Sequence, residues 1–259
     1  MQLRHVFAFM RANCFAPVSA VVTVLGVGVM LPFAWCGAQS KAPPKEEMDM
    51  EVPHGFFTHE GLPDPVGSFS LRTTALSTRT DGKSTGDFAF HLETGLTKRV
   101  GLHIRNDRFL NNTRTEAMFQ FVAISNESGT MGFAPIIEFE FPTRSGGGRR
   151  IEALVGQTAK VSNSKFALNE VVHYNPREDG VDWSASLVAM TTPWLFPVAE
   201  VLGSGMSGNA PALDLLAGVK VRIRKGVLLG FAYRFPVTTR KDFTSQLVFQ
   251  PDFDFKIGR

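Results

Sequence analysis

From about Gly67 to Phe255 the chain runs as a succession of stretches, each roughly ten residues long, in which apolar and polar residues alternate between turn segments. Successive side chains of a strand point to opposite faces, so each stretch has one apolar and one polar side. Many such stretches in series point to a transmembrane β-barrel, which shows its apolar side to lipid and its polar side to the lumen. No apolar run of membrane length follows residue 35, which excludes a helical membrane protein for the body of the chain.

Period-two alternation predicts twelve strands, near 67–78, 84–94, 98–107, 114–125, 131–141, 150–161, 164–175, 182–191, 193–203, 212–224, 226–236 and 240–255. In the second, Phe88, Phe90 and Leu92 oppose Ala89, His91 and Glu93. In the fifth, Phe133, Pro135, Ile137, Phe139 and Phe141 oppose Glu138 and Glu140. The fold class is therefore all-β, a closed antiparallel barrel over 67–259, and an even strand number puts both termini on the periplasmic side. The connections at 95–97, 162–163, 192 and 225 then fall on that side. Those at 108–113, 142–149, 176–181 and 204–211 fall outside, so short and long segregate, with 126–130 as the exception.

Two further places test this register. Strict alternation puts Glu170 on the lipid side with Phe166, Leu168, Val172 and Tyr174, a misfit that a β-bulge would resolve. The chain has 23 Phe but only 2 Tyr and 3 Trp, and Tyr174, Trp183, Trp194 and Tyr233 near predicted strand ends suggest a sparse interfacial girdle.

The first forty residues form a separate device. Arg4, His5 and Arg11 make a basic start, Phe15 to Phe33 is uncharged and apolar, and Cys36, Gly37 and Ala38 offer small residues for cleavage. This reads as a secretory signal over 1–38. A lipidated Cys36 fits less well because Trp35 precedes it, and an uncleaved helical anchor is the other alternative. Both cysteines, Cys14 and Cys36, lie in the removed part, so the mature chain has no disulfide or thiol nucleophile. Of 27 basic residues the signal holds Arg4 and Arg11, which leaves 25 against 24 acidic ones and no basic footprint for nucleic acid. Residues 39–66, with Pro43, Pro44, Pro53, Pro63 and Pro65 and no period, read as a flexible linker in the periplasm or barrel mouth.

Several segments carry a family resemblance: ETGLTKRVGLHIRND (93–107), PIIEFEFPT (135–143), FPVAEVLGSG (196–205) and LLAGVKVRIRKGVLLGFAYRFPV (215–237). They resemble outer-membrane transporters of the MetA-pathway-of-phenol-degradation type. The resemblance covers the body from about residue 67 and implies an outer-membrane barrel of transport role without a catalytic set. Phe253 and Phe255 look like the aromatic assembly signal of such barrels, although Lys256 to Arg259 follow them.

The expected lumen-facing set is His91, Glu93, His103, Arg105, Glu116, Gln120, Glu138, Glu140, His173, Glu200, Lys220, Arg222, Arg224 and Arg234. Acids come mainly from early strands and bases from strands ten and eleven, so a field across the pore could orient a polar solute. Against this stands pairing of the same charges across a filled lumen. Met48, Met50, His54, His59 and Glu60 could together take a soft or borderline metal ion, without a defining spacing. No cofactor is expected. Hydrolase chemistry is disfavoured because no His-x-Ser occurs: Glu93, Arg105 and Asn175 stand two places after His91, His103 and His173. Gly203, Gly205 and Gly208 spell G-x-G-x-x-G without a βαβ context and read as a loop. Gly146 to Gly148 with Arg149 and Arg150 read as a solvated hairpin tip, or as a contact to lipopolysaccharide. The expectation is an outer-membrane channel for a small solute, with membrane lipid and the barrel-assembly machinery as partners. The alternative is a plugged accessory barrel that handles metal.

Overall fold

The structure is a computed structural model that describes residues 53–106, 109–110, 114–142 and 151–256. The predicted signal over 1–38, Met48, Met50 and the Gly146–Arg150 tip lie outside these residues. The strands are β1 (Ser68–Thr80), β2 (Lys83–Thr97), β3 (Val100–Asn106), β4 (Arg114–Phe121), β5 (Ile124–Ser125), β6 (Met131–Pro142), β7 (Glu152–Ser162), β8 (Phe166–Asn175), β9 (Gly180–Ala189), β10 (Leu195–Met206), β11 (Ala212–Arg224), β12 (Val227–Pro236) and β13 (Ser245–Lys256). β5 is a two-residue appendage on β6. The other twelve pair antiparallel with their sequence neighbours, β4 pairs directly with β6, and β13 closes on β1 from Ser68 opposite Lys256 to Arg79 opposite Ser245. Closure removes both sheet edges, so every strand finds ladder partners on its two sides. At the seam the rings of Phe69 and Phe255 stack with centroids 5.6 Å apart.

Burial along the strands is inverted relative to a water-soluble protein. Arg72, His91, Glu93, His103, Gln120, Glu138, Glu200, Lys220 and Asp252 are buried, while Phe88, Ile137, Leu187, Phe231, Tyr233, Leu247, Phe249, Phe253 and Phe255 are exposed. An apolar exterior around a polar interior is stable when the outer medium is hydrocarbon. Among the described residues no helix is long and apolar enough to cross a membrane.

Three sequence expectations need correction. β1 and β2 are joined by Asp81 and Gly82 alone, both at positive φ (49° and 79°), the geometry of a tight primed hairpin turn. That turn sits at the end that also carries the long connections, a second exception to their segregation. Second, β8 pairs with β7 and β9 in unbroken register, so no bulge rescues Glu170. It stays outward while Ala167, Asn169, Val171 and His173 face in and are buried. Third, the part of the 39–66 linker that is described, 53–66, is no loose tether. Phe56, Thr58, His59, Glu60 and Leu62 are all buried, and Val66 makes a parallel bridge to Gly95 of β2.

The outward face carries a direct test. Phe231 lies in mid β12, opposite Val219 and Phe249, and is about half exposed. Phe231→Arg should lower stability by about 2–4 kcal/mol in phospholipid vesicles, as charge at the midplane of a barrel does, when read from guanidinium unfolding followed by tryptophan fluorescence.

Candidate functional site

Residues 53–66 lie against the inner wall as an internal plug, and their backbone takes its hydrogen bonds from wall side chains. The Glu200 carboxylate accepts from Phe56 N and from Phe57 N, the latter at 3.0 Å. Gln250 donates to Phe56 O (2.8 Å), and Lys220 (3.0 Å) and Arg72 (3.3 Å) donate to Gly55 O. Farther along, Asn169 accepts from Gly61 N (3.0 Å), Thr158 donates to Gly61 O (3.0 Å) and Gln120 donates to Glu60 O (2.9 Å).

The interior has two characters, and the plug matches both. Phe56 joins Leu76, Val188, Phe196, Val198, Leu216, Leu228, Ala232 and Val248 in one buried apolar cluster. Its ring fits because the wall is bare beneath it: a Cβ on Gly218 or Gly230 would approach the ring to 2.8 and 2.7 Å. Lys220 Nζ sits 5.0 Å from the same ring centroid, a cation–π contact.

On the polar side, five of the chain's six histidines converge with carboxylates. His59 stacks on His91 with centroids 5.1 Å apart, meets His103 edge-on at 5.1 Å and lies 6.1 Å from His173. His59 Nδ1 is 3.2 Å from His103 Nδ1 and 3.6 Å from Glu93 Oε1, and Arg105 donates to His59 Nε2 at 2.7 Å. His54 Nδ1 faces Glu93 Oε2 at 3.4 Å, and His173 Nδ1 faces Glu138 Oε2 at 3.2 Å. Burial, reinforced by Arg105 and the neighbouring imidazoles, holds His59 well below the usual imidazole range. Burial with Arg72 and Lys220 does the same for His54. Both plug imidazoles are therefore neutral near pH 7.

The sequence-derived set distributes as follows. His91, Glu93, His103, Glu116, Glu138, His173, Glu200 and Lys220 are buried, and Arg105, Glu140 and Arg234 are partly buried. Arg222 lies over the Phe196 ring (4.8 Å) and donates to Pro193 O (2.9 Å). Arg224 departs from the set, because an irregularity between Arg222 and Arg224 breaks the alternation and leaves it exposed at the strand end. The expected charge separation across the pore is cancelled by pairing along the wall. Arg72 pairs with Glu93, Arg105 with Glu116, Arg114 with Glu140 (2.9 Å) and Glu152 (2.7 Å), Lys220 with Asp252 (2.6 Å), and Arg234 with Asp214 (2.5 Å). Of the weak metal set, Glu60 pairs with Lys160 (3.4 Å), and His54 and His59 enter the histidine cluster. The reading of the residues passed over Arg72, Thr158, Asn169, Gln250 and Asp252. Alternation in β1 and β13 already sets Arg72, Gln250 and Asp252 opposite Leu71, Phe249 and Phe253.

At the end with the long connections a polar cavity of about 360 Å³ opens, lined among others by Arg114, Glu140, Glu152, Asn175, Asp182 and Arg240.

No protein-family model matches the chain, and no curated protein matches it in sequence. The fold is that of solved outer-membrane porins and channels. A KdgM porin aligns with TM-score 0.54 at 7% identity, covering 73% of this chain and 99% of that one. A NanC porin aligns at 0.51 and 9%, covering 73% and 100%. The COG4313 outer membrane channel from Pseudomonas putida F1 aligns at 0.50 and 11%, covering 79% and 100%. At such identities the likeness speaks for architecture alone.

The anchoring ion pair should behave as a unit. Lys220 and Asp252 are both 0% exposed, so Lys220→Met should cost about 3–5 kcal/mol by stranding the carboxylate. Adding Asp252→Asn should recover a large part of that loss in urea unfolding.

Proposed function

We propose that this chain is an outer-membrane channel for a small polar solute and that the plug shuts it at rest. The observation that carries this reading is the manner of attachment. Apart from the bridge at Val66, the plug is held by side chains reaching its backbone, not by a sheet ladder, so it can leave without breaking the barrel. The polar cavity fits an entrance on the outer side, where Arg114, Glu140, Glu152, Asp182 and Arg240 would sort solutes by charge before the plug is reached.

The resemblance of the strand-end segments to MetA-pathway-of-phenol-degradation transporters supports passage through the barrel and names no solute. The same reading assigns export to residues 1–38, insertion to the barrel-assembly machinery, and membrane lipid with lipopolysaccharide to the surroundings of the outward face. It leaves the chain no catalytic role.

Planar-bilayer recording tests this. The wild-type chain should be mostly silent, and a Phe56→Ala/Glu200→Ala variant, which loses both the buried ring and the acceptor for two plug N–H groups, should give frequent single-channel steps. Silence of that variant at every voltage, while it keeps heat-modifiable gel mobility, would refute the channel and leave a sealed accessory barrel. Recovery in the soluble periplasmic fraction instead of the outer membrane would refute the location.

A further inference from the structure

The histidine cluster has no evident duty in holding the barrel together, since the ladder already satisfies the strand backbones. We propose that His59 of the plug, with His91 and Glu93 of β2 and His103 of β3, forms a binding site for a divalent ion of the zinc class, which pins the plug to the wall.

The spacing is that of a coordination shell. Zinc–nitrogen bonds of about 2.0–2.1 Å put tetrahedral ligand atoms roughly 3.3 Å apart. His59 Nδ1, His103 Nδ1 and Glu93 Oε1 lie 3.2, 3.3 and 3.6 Å from one another. His91 completes the set, because His59, His91 and Glu93 also offer ligand atoms that all fall within 4.8 Å of one another. Arg105 donates to His59 Nε2, which leaves Nδ1 as that ring's nitrogen toward the group. Glu93 has lone pairs to give: Oε1 takes Arg72, while Oε2 is buried and accepts no hydrogen bond.

The donor set selects the ion. Imidazoles with one carboxylate suit Zn²⁺, Ni²⁺ or Cu²⁺ and suit Mg²⁺ and Ca²⁺ poorly. The surrounding charge also admits a dication. Glu60, Glu93, Glu116 and Glu138 stand there against Arg72, Arg105 and Lys160, with Arg105 paired to Glu116 and Lys160 to Glu60. Arg72, bonded to Glu93, orients the carboxylate from behind as outer-shell partners do. A second triad, His59, Glu138 and His173, shares the plug ligand. The shorter distances around Glu93 favour the first.

One ligand comes from the plug and three from the wall, so an ion bound there stabilises the plugged state by its own binding free energy. The site stands whether or not the barrel conducts. Only its effect on gating rests on the channel reading.

Isothermal titration of the full, untagged chain in detergent with ZnCl₂, NiCl₂ and MgCl₂ tests the site without any transport assay. The expected result is one Zn²⁺ or Ni²⁺ per chain, no heat from Mg²⁺, and affinity weakened by roughly tenfold or more in His59→Asn and His103→Ala, with His173→Ala unchanged. Heat-modifiable mobility of each variant certifies the barrel. His59 lies outside every strand, so its variant keeps the test open even where a wall variant misfolds. Absence of saturable binding, binding that survives both substitutions, or binding lost in His173→Ala and kept in His103→Ala would each overturn the assignment. A conducting Phe56→Ala/Glu200→Ala variant combined with no metal binding would remove the site and spare the channel.

Discussion

A peptide segment inside a barrel brings backbone N–H and C=O groups into a space with little water and no free sheet edge, and each group left unpaired costs free energy. Everything else about this interior answers that constraint. Glu200, Gln250, Lys220, Arg72, Asn169, Thr158 and Gln120 come from strands spread around the wall, and each reaches a backbone group of the plug. A wall of polar side chains that would be costly around an empty apolar cavity becomes stable when a polar backbone fills it.

The same logic explains the arrangement of charge. Buried cations and anions are tolerated when paired and hydrogen-bonded. Lys220 illustrates this by meeting Asp252, Gln250 and Gly55 O at once while its ammonium lies over Phe56. Bases therefore neutralise acids on adjacent or next-but-one strands, and selectivity in the proposed pathway passes to the charged cavity at the long-connection end.

The fold was legible in the sequence because a barrel strand writes both its faces into one period. β11 at Ala212–Arg224 coincides with the 212–224 stretch, and the burial of His91, His103, Glu138 and Lys220 follows from alternation alone. The last strand begins at Ser245 instead of 240, because 240–244 carry turn hydrogen bonds and no alternation. The plug was not legible. HGFFTHEG has no period, and its partners Glu200, Asn169 and Gln250 stand 144, 108 and 194 residues away from the groups they bind. Ion-pair partners were also hidden, since they depend on register, and a one-residue slip would turn each side chain to the other face.

The central claim is that the plug resides in the barrel in the native membrane. Thr58 in its middle is 1% exposed, so a cysteine there, with Cys14 and Cys36 replaced by serine, reads the claim most directly. Thr58→Cys should stay unlabelled by a membrane-impermeant maleimide in intact outer membranes and label fully after unfolding. Labelling in the native membrane as fast as a cysteine in the Asp81–Gly82 turn would contradict the account.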